Sequence, residues 1–244
     1  MPFSRVLCVY GAKGGIGKTT ITLNLAGILA NMKKEVLIID LDLHSGDVAV
    51  SLDRKPSKTI ADLASDLKNN SYHDLNNYLT KYDAYISFLA SPPDPRDAAK
   101  IDEENLNRIL NECEKKYEVI IIDTTNSYDE INRIALKRAR KILFVTTNNP
   151  LDLKNTRNLL TILKEDGINN IEVLLNNSIH PNNDYFILYD IKKIIQNHIN
   201  YIISQRFHYR DIDTVTVNGE ILTMKSQKWP DYRIFSLIIE SLLK

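Results

Sequence analysis

Four of the eight glycines in this 244-residue chain, Gly11, Gly14, Gly15 and Gly17, fall within seven consecutive residues near the N-terminus. Glycine is otherwise scarce, at about 3% of the chain against an ordinary usage of about 7%, so the concentration has a local cause. Glycine is placed where a backbone takes positive φ or approaches a ligand closely. The cluster follows a strand-length apolar run at 6–10 and precedes a helical apolar pattern over 19–31. Such a succession aims backbone N–H groups and the positive end of a helix at an anion. A phosphate-binding loop in a layered α/β fold is predicted.

The loop reads Ala12-Lys13-Gly14-Gly15-Ile16-Gly17-Lys18-Thr19-Thr20. Its end matches the GK[ST] of a P-loop, while Ala12 stands at the usual first glycine. Residues 12–20 are thus the candidate phosphate cradle. By residue type, Lys18 supplies charge to the β and γ phosphates and the Thr19 hydroxyl ligates Mg²⁺.

Further apolar runs of strand length lie at 36–40, 86–90, 119–123, 142–146, 171–175 and 201–204. Several are continuously apolar, as parallel strands covered on both faces are. Helical patterns at 60–67, 73–80, 103–116, 129–140, 153–165, 185–198 and 231–243 alternate with them. The prediction is a doubly wound, mostly parallel sheet of about seven strands with helices on both faces, in one domain spanning 1–244. In such sheets ligands bind beyond the carboxyl ends of strands. Three acids qualify: Asp40 ends the second run, Asp42 lies two residues on, and Asp123 ends the run 119–123. An acid there can hold the water shell of Mg²⁺, and one further out can orient an attacking water.

Lys and Arg total 31, as do Asp and Glu, so no global field gathers nucleic acid or anionic lipid. Cys8 and Cys113 lack metal-ligand spacing, which fits a reduced, cytoplasmic chain. No run approaches bilayer length and no leader precedes the loop, so nothing is expected to be exported or to span a membrane.

With Lys13 early in the loop, K-G-G-x-G-K-T-T resembles the deviant Walker A loop of the MinD/ParA ATPases. The resemblance implies an ATP- and Mg²⁺-dependent ATPase, with Lys13, Lys18 and Asp42 catalytic and Thr19, Asp40 and Asp123 linked to Mg²⁺. It also implies a homodimer with ATP at the interface, Lys13 reaching the facing subunit's phosphates. The strand end Leu174-Leu175-Asn176-Asn177 is similar to the V-L-N-R at which that family places an asparagine on adenine, making Asn176 a candidate base contact.

Within the family, Asp40-Leu41-Asp42-Leu43-His44-Ser45-Gly46-Asp47-Val48-Ala49 resembles the D-L-D-L-Q-x-G-D-x-A segment of the CpaE/TadZ pilus-assembly ATPases. The segments 59–63 and 89–98 are similar to further parts of that branch. The implied role is a cytoplasmic switch for a tight-adherence pilus or other polar machinery, recruited to a pole or membrane by a partner. The receiver-like domain that often precedes such proteins is absent from these residues. Where the second switch usually has proline or glycine, 124–127 reads Thr-Thr-Asn-Ser, which implies slow or differently regulated hydrolysis.

Two other readings compete. A ParA-like partition protein would use the basic run 137–141, although charges at a helix C-terminus complement its dipole equally well. A MinD- or FlhG-like positioning protein would use its last helix on a membrane, but 231–243 is scarcely basic and reads as core. His44 reads as a surface residue, and the stripe Tyr185, Leu188, Ile191, Ile194, Ile195, Ile199 reads as core. Trp229-Pro230 reads as a helix entrance.

Overall fold

The computed structural model describes residues 4–177, 185–205, 211–228 and 231–244. Trp229 and Pro230 lie outside the described residues. Among the described residues, eight strands form one sheet: β1 (Arg5–Gly11), β2 (Val36–Asp40), β3 (Thr80–Lys81), β4 (Ile86–Leu89), β5 (Val119–Asp123), β6 (Lys141–Thr146), β7 (Ile171–Asn176) and β8 (Tyr201–Ile203). Their spatial order is β3-β4-β2-β5-β1-β6-β7-β8, parallel throughout except for β3 against β4. The helices are α1 (Lys18–Asn31), α2 (Asp47–Ser51), α3 (Ile60–Lys68), α4 (Glu103–Lys116), α5 (Glu130–Arg138), α6 (Pro150–Glu165), α7 (Leu188–Ile195), α8 (Asp211–Val217), α9 (Leu222–Lys225) and α10 (Tyr232–Leu243).

Alternate residues of the continuously apolar strands feed two cores. Val6, Cys8 and Tyr10 pack with residues of α3 to α7, while Leu7 and Val9 pack with those of α1, α9 and α10. That division explains why these strands show no polar face. Helix α1 is buried from Ile21 to Ala30, because α9 and α10 cover the side turned away from the sheet. A Cβ on Gly27 would come within 2.3 Å of the Thr223 hydroxyl, so the two helices meet almost backbone to side chain. Phe235, Ile238, Ile239 and Leu242 are buried at helical spacing, and α10 is the core helix that its composition predicts.

Two expectations need correction. The pattern at 73–80 does not form an α-helix: Asp74 caps only a 3₁₀ turn over Leu75–Tyr78. Asp83 then accepts the Tyr85 and Ile86 N–H groups in a tight turn, and Thr80 and Lys81 pair back onto β4. This adds an eighth, antiparallel strand at the sheet edge. The stripe beginning at Tyr185 is also only partly core, for Ile191 and Ile195 are buried while Tyr185 and Leu188 remain exposed.

Candidate nucleotide site

The sheet order places the site. From β1 the chain first moves to one side, to β2, and later to the other, to β6, so the connections diverge at the carboxyl end of β1. Asp40 and Asp123 end adjacent strands in register there. At the start of α3 Asp62 accepts from the Thr59 N–H, and helices α4 to α6 have side-chain caps from Asp102, Asp129 and Asn149. Helix α1 has none: it starts from Gly17 at φ 89°, a left-handed conformation that favours glycine, and its first N–H groups face the loop.

A cavity of 300 Å³ opens at this point, lined by Gly14, Gly15, Gly17, Lys18, Thr19, Thr20, Asp42, Asp47, Thr124 and Asn126. The Lys18 ammonium donates to the Lys13 carbonyl at 3.3 Å, curling the loop over its own side chain. Burial pulls the Lys18 pKa down, while Asp123, Asp42, Asp152 and Asp47 pull it up. Thr19 Oγ1 donates to Asp123 Oδ2 at 2.6 Å, and Thr22 Oγ1 donates to Asp123 Oδ1 at 3.2 Å. Burial pushes the Asp123 carboxyl up to about 6, against the pull of Thr19 and Lys18.

The paired oxygens of Thr19 and Asp123 are hard donors at the edge of a phosphate-sized cavity, and they fit Mg²⁺. Among the described residues no group of three His, Cys, Asp or Glu could hold a metal alone. Mg²⁺ is characteristically bound by one or two protein oxygens together with substrate phosphates and water.

Asp40 has a different environment from Asp123. Its carboxylate accepts from the Asp42 N–H at 3.1 Å, the Val48 N–H at 3.3 Å and the Ser91 hydroxyl at 3.2 Å. Burial, and then the charge of Asp123, push its carboxyl well above the usual range. Asp40 therefore fastens the loop that carries Asp42 and reaches α2. Asp42 Oδ1 in turn accepts from the Ser45 N–H at 3.1 Å. Gly46 has φ 60°, and a Cβ there would lie 2.3 Å from Ser91 Oγ. Gly46→Ala is expected to cost about 1–3 kcal/mol in chemical denaturation and to lower turnover by freeing Asp42.

Asn176 is 3% exposed and its amide donates to the Ile16 carbonyl at 3.0 Å, so it braces the phosphate loop from β7. Lys13 is half-buried, and its charge acts on Asp152, a residue the sequence reading missed. Asp152 Oδ2 accepts from the Thr147 N–H at 2.6 Å and from the Thr147 and Thr146 hydroxyls, while its buried Oδ1 has no hydrogen-bond partner. The only available signal was an acid in the first turn after Asn149-Pro150. The second switch is tied down locally: Thr124 donates to the Val9 carbonyl at 2.7 Å, and the Asn132 amide donates to Thr125 Oγ1 at 2.7 Å.

The carboxylate of Asp123 sets a pH dependence. A cation and a proton compete for it, so Mg²⁺-dependent nucleotide affinity is expected to fall as pH drops through about 6. One pH unit below the pKa the deprotonated fraction is about a tenth, giving about a tenfold loss. Calorimetric titration of wild type and Asp123→Asn separates this loss from protonation of the nucleotide itself. Equal pH slopes for the two chains would contradict it.

Residues 4–181 match the family model described as an AAA domain. The septum site-determining protein MinD of Synechocystis is 27% identical over 177 residues, covering 71% of this chain and 64% of that relative's length. A ParA family ATPase from Chlorobium tepidum superposes with a TM-score of 0.84 at 23% identity, covering 98% of this chain and 99% of the other. MinD complexed with Mg-ADP from Pyrococcus horikoshii superposes with a TM-score of 0.81 at 21% identity, covering 98% and 96%.

Proposed function

This chain belongs to the AAA-domain family, and we propose that it is a P-loop ATPase of the MinD/ParA type, a Mg²⁺-dependent ATP switch that positions a cellular assembly. The observation that carries this is the convergence of Lys18, Thr19 and Asp42 on one cavity at the uncapped start of α1, with Asp123 bonded to Thr19 behind them. Backbone N–H groups of the loop cradle the phosphates and Lys18 compensates their charge. Thr19 and Asp123 would hold Mg²⁺, with Asp40 behind them, and the ion would supply neutralisation of phosphate charge. Asp42, held by Ser45 and by the Asp40-anchored loop, orients the attacking water. Hydrolysis is slow, because the second switch is held by its own hydrogen bonds rather than by a flexible glycine.

ATP joins two copies of the chain, with Lys13 of each reaching the nucleotide of the other. The assembly positioned is a tight-adherence type pilus, a reading that rests on the likeness of 40–49 and 89–98 to the CpaE/TadZ branch. The protein works in the cytoplasm and a partner recruits it. The partition reading is weakened by pairing within the basic run: Arg138 binds Glu114 at 2.7 Å and Lys141 binds Glu172 at 2.7 Å. Among the described residues no helix is long and apolar enough to cross a membrane.

Deleting the gene in cells with labelled pili, flagella and septa tests the assignment. Altered pilus number or placement with normal septa and flagella is the expected result. A septal or flagellar phenotype with normal pili would transfer the assignment to the MinD- or FlhG-like reading.

A further inference from the structure

A separate cavity of 420 Å³ shares no lining residue with the nucleotide cavity. It lies between the end of the Asp42 loop with α2, the stretch 54–56, and the loop 91–93. Val50, Pro56 and Pro92 give it apolar walls, and Val50 is 76% exposed. His44, Arg54 and Lys55 give it a basic rim, and no lining residue is acidic, in a chain whose acids and bases are equal in number.

Asp94 is bound by Arg96, Asp66 by Lys58, and Asp62 accepts from the Thr59 N–H and hydroxyl at the start of α3, while Asp47 and Asp53 flank the lining segments without lining the groove. Lys55 makes no ion pair among the described residues. Arg54 is held in place before any ligand arrives: it donates to the Leu52 and Asp53 carbonyls at 3.2 and 3.0 Å and lies 5.0 Å over the Tyr82 ring. A cation already fixed loses little entropy on binding.

We propose that this groove docks an acidic segment of a partner protein, with an apolar side chain of that segment set against Val50 and the prolines and its carboxylates on Arg54 and Lys55. The apolar walls and the volume suit side chains better than a bare inorganic anion. Nucleic acid would need aromatic stacking surfaces or a longer basic track, and neither lines the groove. Gly46 and Ser91 also line it, so an occupant touches the same contacts that fasten Asp40 and the Asp42 loop. The proposal goes beyond the ATP-switch reading, and its test needs no nucleotide.

The nucleotide-free full chain is used to select from a random short-peptide library displayed on phage. Enriched peptides are then titrated by fluorescence anisotropy against wild type, Lys55→Glu and Val50→Asp. Both substituted side chains are on the surface, and thermal melting confirms that the variants fold. Enriched peptides are expected to be acidic with at least one large apolar residue, and each substitution is expected to weaken binding about tenfold or more. Absence of enrichment, selection of neutral or basic peptides, or affinities that ignore both substitutions would overturn the proposal. So would a solution mass of the chain alone that falls in Lys55→Glu, which would make a second copy the occupant.

Discussion

Replacing Lys18 with alanine is expected to lower ATP turnover by on the order of 10²–10³, the typical penalty for removing one preorganised group that stabilises developing charge. The environment explains why the loss should be large. Lys18 is 9% exposed, and Asp123, Asp42, Asp152 and Asp47 all act on its charge. Without the ammonium, the nucleotide's phosphates would enter a cavity whose remaining side-chain charges include Asp42 and Asp47, with Asp123 behind them. Arginine should not rescue the activity, because its broader planar fork does not fit the space in which a single ammonium reaches the Lys13 carbonyl.

Stability should move the other way. Burial lowers the Lys18 pKa, so the charge is held at a cost in the folded chain. Lys18→Ala removes that cost and is expected to melt no lower than wild type. Phosphate release and thermal melting on the same preparations check both halves. A variant within a factor of about two of wild-type turnover would remove Lys18 from the chemistry.

The parts legible in the sequence are those fixed by local pattern. The succession β1, glycine loop, α1 announces itself through residue type and order, and Asp40 and Asp123 are exposed as candidates by ending continuously apolar runs. What stayed hidden depends on contacts distant in sequence. Thr80 and Lys81 become a strand only because the Asp83 turn folds them onto β4. The contact of the Asn176 amide with the Ile16 carbonyl, 160 residues away, has no local signature. Asp152 gains meaning only when β6 lies beside β1 and brings the start of α6 to Lys13. The short helices α8 and α9 lack a periodic signature long enough to stand out. α9 takes its place from tertiary contacts: Thr223 bonds to Asn24 of α1.

The second large effect is expected in solution mass. Asp42→Ala, able to bind ATP but not to orient the attacking water, should double its mass from 28.0 kDa in Mg-ATP and remain monomeric in Mg-ADP. Lys13→Ala should remain monomeric in both, and light scattering reads all four states. ATP can favour the dimer only through contacts absent from the ADP state. A lysine on a phosphate is a charge-assisted contact worth about 1.5–3 kcal/mol, and a two-fold axis makes it twice, giving about 3–6 kcal/mol. Moving an equilibrium from mostly monomer to mostly dimer takes about 5.5 kcal/mol, so these two contacts are of the right size to act as the switch. In the single chain the Lys13 charge instead acts on Asp152, whose buried Oδ1 has no hydrogen-bond partner. If wild type, Asp42→Ala and Lys13→Ala share one mass whatever the nucleotide, Lys13 is not the switch and the chain is a constant scaffold with a nucleotide pocket.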